Sequence, residues 1–427
     1  MRHTVTEHTL STGTKGLLID VPGSEVVSLQ VYFKAGYQFG DFTKYDIPHL
    51  IEHYVFSGTK GYPGPDQIAV EIGRNGAYLS ASTNDSSIRF VAECAEFEVE
   101  HILELMTELI TRPIFPPKVY ETERENVRTE LTSYLSNYNR EVSRLSGEAS
   151  FPKRIMNYNK RLEQLDGITR QDVIDYYQAT FHARNAVFLV SGAVKAQQAT
   201  IQRKLEELFG ELPVGQPREF IDEVGLGIPK PLLIVESIDS VYFNLNWFNA
   251  GLTMEERAAG TILGVILTGS YASRIFGKAR ERGITYHVSS GTSDSPKASS
   301  LTIQGFCNQN KWEQLLELIA HEVSDIVEHG PSKDEVADAK QRVIGRTAIA
   351  YQTAAGMSGW YGGLYFDEGQ ILSLEESDAQ LRAVTPQAVQ KLAKYYFASE
   401  RHNAALVGKV GEVEADAVDR ILKTIWS

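Results

Sequence analysis

The chain has 427 residues, 42% hydrophobic and 23% charged, the balance of a globular protein with room for two or three cores. Its formal net charge of −13 argues against a nucleic-acid partner, which needs a basic surface, and against binding to anionic membranes. No run of 18 apolar residues is available to span a membrane, and two cysteines, Cys94 and Cys307, cannot build a disulfide framework.

Met1–Lys15 is polar, with neither the apolar core of a signal peptide nor the arginine-rich composition of a transit peptide, so a cytoplasmic protein is expected. Leu17–Asp20 and Val26–Phe33 read as strands on either side of Pro22-Gly23-Ser24. Residues 36–45 form a loop leading into a helix that carries Pro48-His49-Leu50-Ile51-Glu52-His53. Asp46 is placed to cap that helix, and Pro48 is tolerated in its first turn. Gly61–Gly64, with Pro63 and Pro65, ends it. Then come a short helix over Gln67–Gly73, strands over Ala77–Ser82 and Ser87–Glu93, and an amphipathic helix over Phe97–Thr111. Cys94 follows the second of these strands and reads as a small buried side chain. Pro113, Pro116 and Pro117 separate the amphipathic helix from a helix over Lys118–Tyr134. Asp172–Phe181 reads as a helix and Ala186–Gly192 as an apolar strand.

The chemistry concentrates at two places. His49 and His53 are four apart and share one helix face, so their imidazoles can converge on one ion. Glu52 lies beside them, able to reach a water on that ion without ligating it. This is H-x-x-E-H, the inverse of the commoner zinc-protease motif. A catalytic zinc takes three protein ligands and keeps one position open. Glu123 and Glu130 are seven apart on the later helix, again on one face, and Glu130 follows His53 by 77 positions.

This pattern resembles the pitrilysin/insulysin family of zinc metallopeptidases, which includes the mitochondrial processing peptidases. The resemblance extends through Phe56-Ser57-Gly58-Thr59-Lys60, similar to the family's F-x-G-T-x run. It implies zinc held by His49, His53 and Glu130, with Glu52 as general base and Glu123 as a supporting carboxylate. In the second half, Arg280-Glu281-Arg282-Gly283-Ile284-Thr285-Tyr286 is similar to the family's R-x-K-x-G-L-x-Y segment, which offers an arginine and a tyrosine to the substrate. Tyr286 matches. The family's arginine falls on Ala279, so a one-residue deletion is needed to bring Arg280 into its role, with Arg282 as the alternative. The strand Ala77–Thr83 is a candidate edge for an extended peptide, with Ser80-Ala81 where the family has Asn-Ala.

Residues 211–231, rich in Pro and Gly, read as a linker. The expected division is 1–212 as a metal-binding domain, 213–231 as linker and 232–427 as a homologous domain without a metal site. Phe181–Gly192 answers to Phe397–Gly408, and Leu103–Met106 to Leu316–Ile319. Val119, Val127 and Tyr134 answer to Val336, Ile344 and Tyr351 at an offset of 217, which sets Lys340 opposite Glu123 and Thr347 opposite Glu130. The expected fold class is α+β, two homologous domains, each an antiparallel-rich sheet with helices packed on it. The function expected from motif and resemblance together is a zinc endopeptidase acting on unfolded peptides. It would work as a homodimer or with a related partner subunit, because longer relatives carry four such domains. The rival readings are a non-catalytic or scaffold subunit that binds peptides beside an active partner, and a zinc hydrolase of non-peptide amides.

Overall fold

The computed structural model describes residues 2–409 and 412–426. The chain forms two compact units. The first comprises residues Met1–Thr132, Tyr158–Ile221 and Ala348–Ile371. Its sheet is built from β1 (Thr4–Thr9), β2 (Lys15–Asp20), β3 (Val26–Phe33), β4 (Tyr78–Thr83), β5 (Ile88–Ala95) and β6 (Ala186–Gly192), in the order β1-β2-β6-β3-β5-β4. Only β2 and β6 pair in parallel; every other neighbour is antiparallel.

Side-chain alternation sets the sheet's faces. Along β5, Ile88, Phe90, Ala92 and Cys94 are buried while the residues between them are half-buried. β3 and β6 are buried at nearly every position, so both of their faces are covered. One helix that packs on them, Ala354–Glu368, comes from the second half of the chain. Ser191 of β6 donates to the Ala354 carbonyl at 2.5 Å and lies 2.7 Å from the Ser358 hydroxyl. Tyr32 of β3 packs against Phe366 at 5.1 Å between ring centroids.

The second unit comprises Ser133–Asn157, Asp222–Thr347 and Leu372–Ser427. Its strands are β7 (Leu232–Val235), β8 (Ser240–Ala250), β9 (Thr285–Asp294), β10 (Ala298–Asn308) and β11 (His402–Gly408), in the order β7-β11-β8-β10-β9. This repeats the first sheet without β1, including the single parallel pair, here β7 with β11. Trp247, Leu263, Leu315 and Val389 lie in its buried core. It too holds a helix from the other half of the sequence: Tyr138–Ser150 packs on β8 and β11. There Ser146 donates to Asn403 at 2.7 Å, Asn246 donates to Ser146 at 2.6 Å, and Asn403 donates to Ser150 at 2.5 Å, a buried polar network.

The expected fold class therefore stands: two homologous α+β units on antiparallel-rich sheets. The units are not the contiguous segments 1–212 and 232–427. Residues 213–231 form no helix or strand and separate the two sheets along the chain, while one helical segment from each half belongs to the other unit. The repeat register also differs from the offset of 217 taken from the valines. Helices Pro117–Tyr134 and Lys333–Ala350 both have 18 residues, and their bounds differ by 216, as do those of β6 and β11. Buried Ala339 then stands opposite Glu123, and Arg346 opposite Glu130. No helix among the described residues is long and apolar enough to cross a membrane. Cys94 and Cys307 are free and buried, and burial pushes both thiols up to about 12.

The repeat keeps one backbone device. Gly192 and Gly408 end the equivalent strands β6 and β11 at φ of 120° and 155°. At Gly192 a Cβ would sit 2.0 Å from the Val26 carbonyl oxygen of β3. Gly192→Ala is expected to destabilise the protein by about 1–3 kcal/mol from backbone strain alone, seen as a lower thermal midpoint in calorimetry.

Candidate metal centre

The motif helix runs over Ile47–Tyr54, eight residues anchored by buried Leu50, Ile51 and Tyr54. The glutamate helix, Pro117–Tyr134, is anchored by Tyr120, Val127 and Leu131. Two connections set the gap between them. The Tyr54 hydroxyl donates to the Pro116 carbonyl at 2.5 Å. The run after the motif is stitched to the segment before the glutamate helix, with Lys60 N–H donating to Arg112 at 3.0 Å and Ile114 N–H to Gly58 at 3.0 Å. Thr59, fully buried, bridges to Pro113. The Phe56–Lys60 run is thus a clasp between the two helices.

Across that gap, His49 Nε2 lies 3.3 Å and His53 Nε2 3.5 Å from one and the same oxygen, Glu130 Oε2. The imidazole centroids are 5.0 Å apart at 77°. Ligand atoms of His49, Glu52 and His53 also lie within 4.8 Å of one another. Behind His53, Glu123 Oε2 is 3.6 Å from Nδ1. Ser57 donates to Glu123 Oε1 at 3.0 Å, and Asn126 donates to Oε2 at 3.1 Å. Behind His49, Asp46 Oδ1 is 3.5 Å from Nδ1.

These contacts set the charges. Hydrogen bonding to His49 holds the Glu130 carboxyl below the usual carboxylate range. Burial raises Glu123, but its bonds to His53, Asn126 and Ser57 outweigh this and lower it. Burial also disfavours a charged His49, yet Asp46 and Glu130 together hold it up at about 9. The cluster attracts positive charge, and two imidazole nitrogens with a carboxylate oxygen form a donor set that suits zinc. The residues present fit that ion.

Sequence reasoning placed His49, Glu52, His53, Glu123 and Glu130, and the structure brings all five together. It did not foresee Ser57 or Asn126 as partners of Glu123, nor Arg161, which bonds Asp46. Asp46 makes no side-chain capping bond, contrary to its expected role as a helix cap, because its carboxylate is turned toward Arg161. Arg280 and Tyr286 belong to the second unit. Tyr286 is the second residue of the edge strand β9 and is 75% exposed, with the Arg280 guanidinium 3.9 Å from its ring centroid. Ala279 is buried and Arg282 exposed. In the first unit β4 is an edge strand, tied to the motif helix where Thr83 donates to the Pro48 carbonyl at 3.3 Å.

The family described as Insulinase (Peptidase family M16) matches residues 16–154, and the Peptidase M16 inactive domain matches residues 167–343. The chain belongs to peptidase family M16. Among its M16 relatives, an uncharacterized zinc protease of Bacillus subtilis is 22% identical over 422 residues, spanning 96% of this chain and 99% of the relative. The beta subunit of the mitochondrial-processing peptidase of Dictyostelium discoideum is 23% identical over 49% of this chain and 44% of that subunit. The crystal structure of a peptidase M16 inactive domain from Pseudomonas fluorescens superposes with a TM-score of 0.85 at 18% identity, covering 95% of this chain and 98% of that one. A Helicobacter pylori protease superposes at 0.83 and 16%, covering 95% and 100%. The M16 inactive-domain match falls mainly on the half that lacks H-x-x-E-H.

Proposed function

We propose that this M16 chain is a zinc-dependent endopeptidase acting on unfolded peptides in the cytoplasm. The observation that carries the reading is the convergence of His49 Nε2 and His53 Nε2 on one Glu130 oxygen. In this reading His49, His53 and Glu130 hold zinc. Glu130 is preferred to Glu52 as third ligand because it approaches both imidazoles from the opposite helix. That leaves Glu52, half-buried beside them, for proton transfer.

Zinc bound there supplies Lewis acidity and lowers the pKa of a water. Glu52 takes a proton from the attacking water on its carboxylate and delivers it to the nitrogen of the departing amine. Glu123, steadied by Ser57 and Asn126, orients His53. An extended peptide adds to β4, whose outer edge pairs with no other described strand and whose Thr83 bonds the motif helix. Tyr286, with Arg280 stacked on it, donates to the oxyanion as the carbonyl becomes tetrahedral. A second, identical chain completes the working assembly through two-fold symmetry.

Elemental analysis is expected to find about one zinc per chain, most of it lost in His49→Ala and in Glu130→Ala; full retention in both removes the ligand assignment. Glu52→Gln should keep its metal while cleavage of a quenched peptide library falls by about 10²–10⁴-fold. Unchanged turnover excludes Glu52 as the base. Mixing inactive Glu52→Gln chains with Tyr286→Phe chains should restore activity if a zinc and its tyrosine come from different subunits. No recovery despite verified subunit exchange places both in one chain.

A further inference from the structure

Asp46 is an aspartate with no exposed surface, three residues before His49, at a helix start where it makes no side-chain capping bond. Arg161 holds both of its oxygens, Nε donating to Oδ2 at 3.0 Å and Nη2 to Oδ1 at 2.5 Å. Arg161 is itself buried within a ring of tyrosines. Its guanidinium carbon lies 5.0 Å from the Tyr37 centroid, 5.2 Å from Tyr45 and 5.5 Å from Tyr158. Nη2 also donates to the Tyr37 hydroxyl at 3.1 Å, and Tyr37 stacks on Tyr45 at 4.7 Å. The carboxylate is therefore ionised and held at both oxygens.

A buried ion pair is weak evidence for stability, since well-packed apolar residues often serve as well. What this pair does secure is an acceptor at one fixed point. Asp46 Oδ1 lies 3.5 Å from His49 Nδ1, and that nitrogen is buried without a hydrogen bond of normal length. The other ring nitrogen, Nε2, points at Glu130. A neutral imidazole has one N–H and one lone pair, and the partner of one nitrogen decides the role of the other. The carboxylate behind His53 differs in kind: Glu123 rides on the opposite helix and is half-buried. Asp46 is joined to the motif helix itself and moves with His49.

We propose that Asp46, locked by Arg161 and its tyrosine cage, is a positioning residue that takes the Nδ1–H of His49 and so presents the Nε2 lone pair to the metal. This rests on the zinc reading above. Zinc affinity, by competition with a chromophoric chelator, is to be measured on the full chain for wild type, Asp46→Asn and Asp46→Asn/Arg161→Met. The double variant leaves no unpaired charge in the cage. It should fold, by circular dichroism, yet bind zinc about 10–100-fold more weakly, and with cobalt(II) its visible absorption should shift from that of wild type. Equal affinity with an unchanged cobalt spectrum in the folded double variant overturns the proposal. A readout that needs no variant is nitrogen NMR of zinc-loaded wild type: His49 is expected to carry its proton on Nδ1 and bind through Nε2, and the reverse assignment also overturns it. His49→Ala separates the two readings. If it loses the zinc that wild type holds while the Asp46 variants bind like wild type, only the positioning role falls. Wild type that holds no zinc removes both.

Discussion

The centre depends on the spacing between two helices, which brings one carboxylate oxygen within 3.3 and 3.5 Å of two imidazoles. The eight-residue motif helix is too short to stand alone in water, so its position is a matter of packing. Tyr54 reaches Pro116, and the Gly58–Lys60 backbone bonds the Arg112–Ile114 backbone. Just before the glutamate helix, Phe115 adopts φ 45°, a conformation disfavoured for a residue with a bulky side chain. Its ring is buried between Tyr54 and Tyr177, and its carbonyl accepts from Arg170 at 2.6 Å. The strain is thus held by packing on both sides of the peptide, and it sets the direction in which the glutamate helix leaves.

Charge follows from that geometry. Asp46, Glu52, Glu123 and Glu130 surround two imidazoles, and the buried Arg161 is committed to Asp46 alone among them. Asp46 and Glu130 pair with the His49 ring and Glu52 adds its charge, and so His49 is held at about 9 despite its burial. The overall charge of −13 has little part in this, because charges beyond a Debye length are screened while these lie within hydrogen-bonding reach.

Local pattern carried the sequence reading wherever the relevant partners were local. The strands Val26–Phe33 and Ala186–Gly192 have the bounds expected from their apolar runs. His49, Glu52 and His53 follow from helical period alone, and Glu130 follows from the family resemblance. Asp46 was legible only as a cap, because the residue that redirects it lies 115 positions away on another helix. The repeat offset went astray by one because matching valines weighs residue type, whereas burial decides register. Tyr120 and Val336 are the positions that face the two cores. The N-terminal strand β1 lies at the sheet edge with mostly exposed residues, so it has no apolar run to announce it.

The exchange of helices was invisible for a related reason. Tyr138–Ser150 is mostly polar and Ala354–Glu368 carries four glycines, and nothing in either sequence specifies which sheet it covers. The specifying contacts are polar and buried. Ser191 of β6 meets Ser358 and the Ala354 carbonyl in one unit, while Asn246 and Asn403 meet Ser146 and Ser150 in the other. A chain divided at 213–231 would take from the Ser191 hydroxyl and the Asn403 amide the partners they meet on those helices. Burying an unsatisfied polar group costs about 1–3 kcal/mol, in addition to the apolar face each sheet would expose. The two copies of the duplicated unit are therefore separable in sequence, at a linker with no helix or strand, but not as folded bodies. A half carrying the complete H-x-x-E-H and Glu130 set still requires residues 348–371 to close its own core.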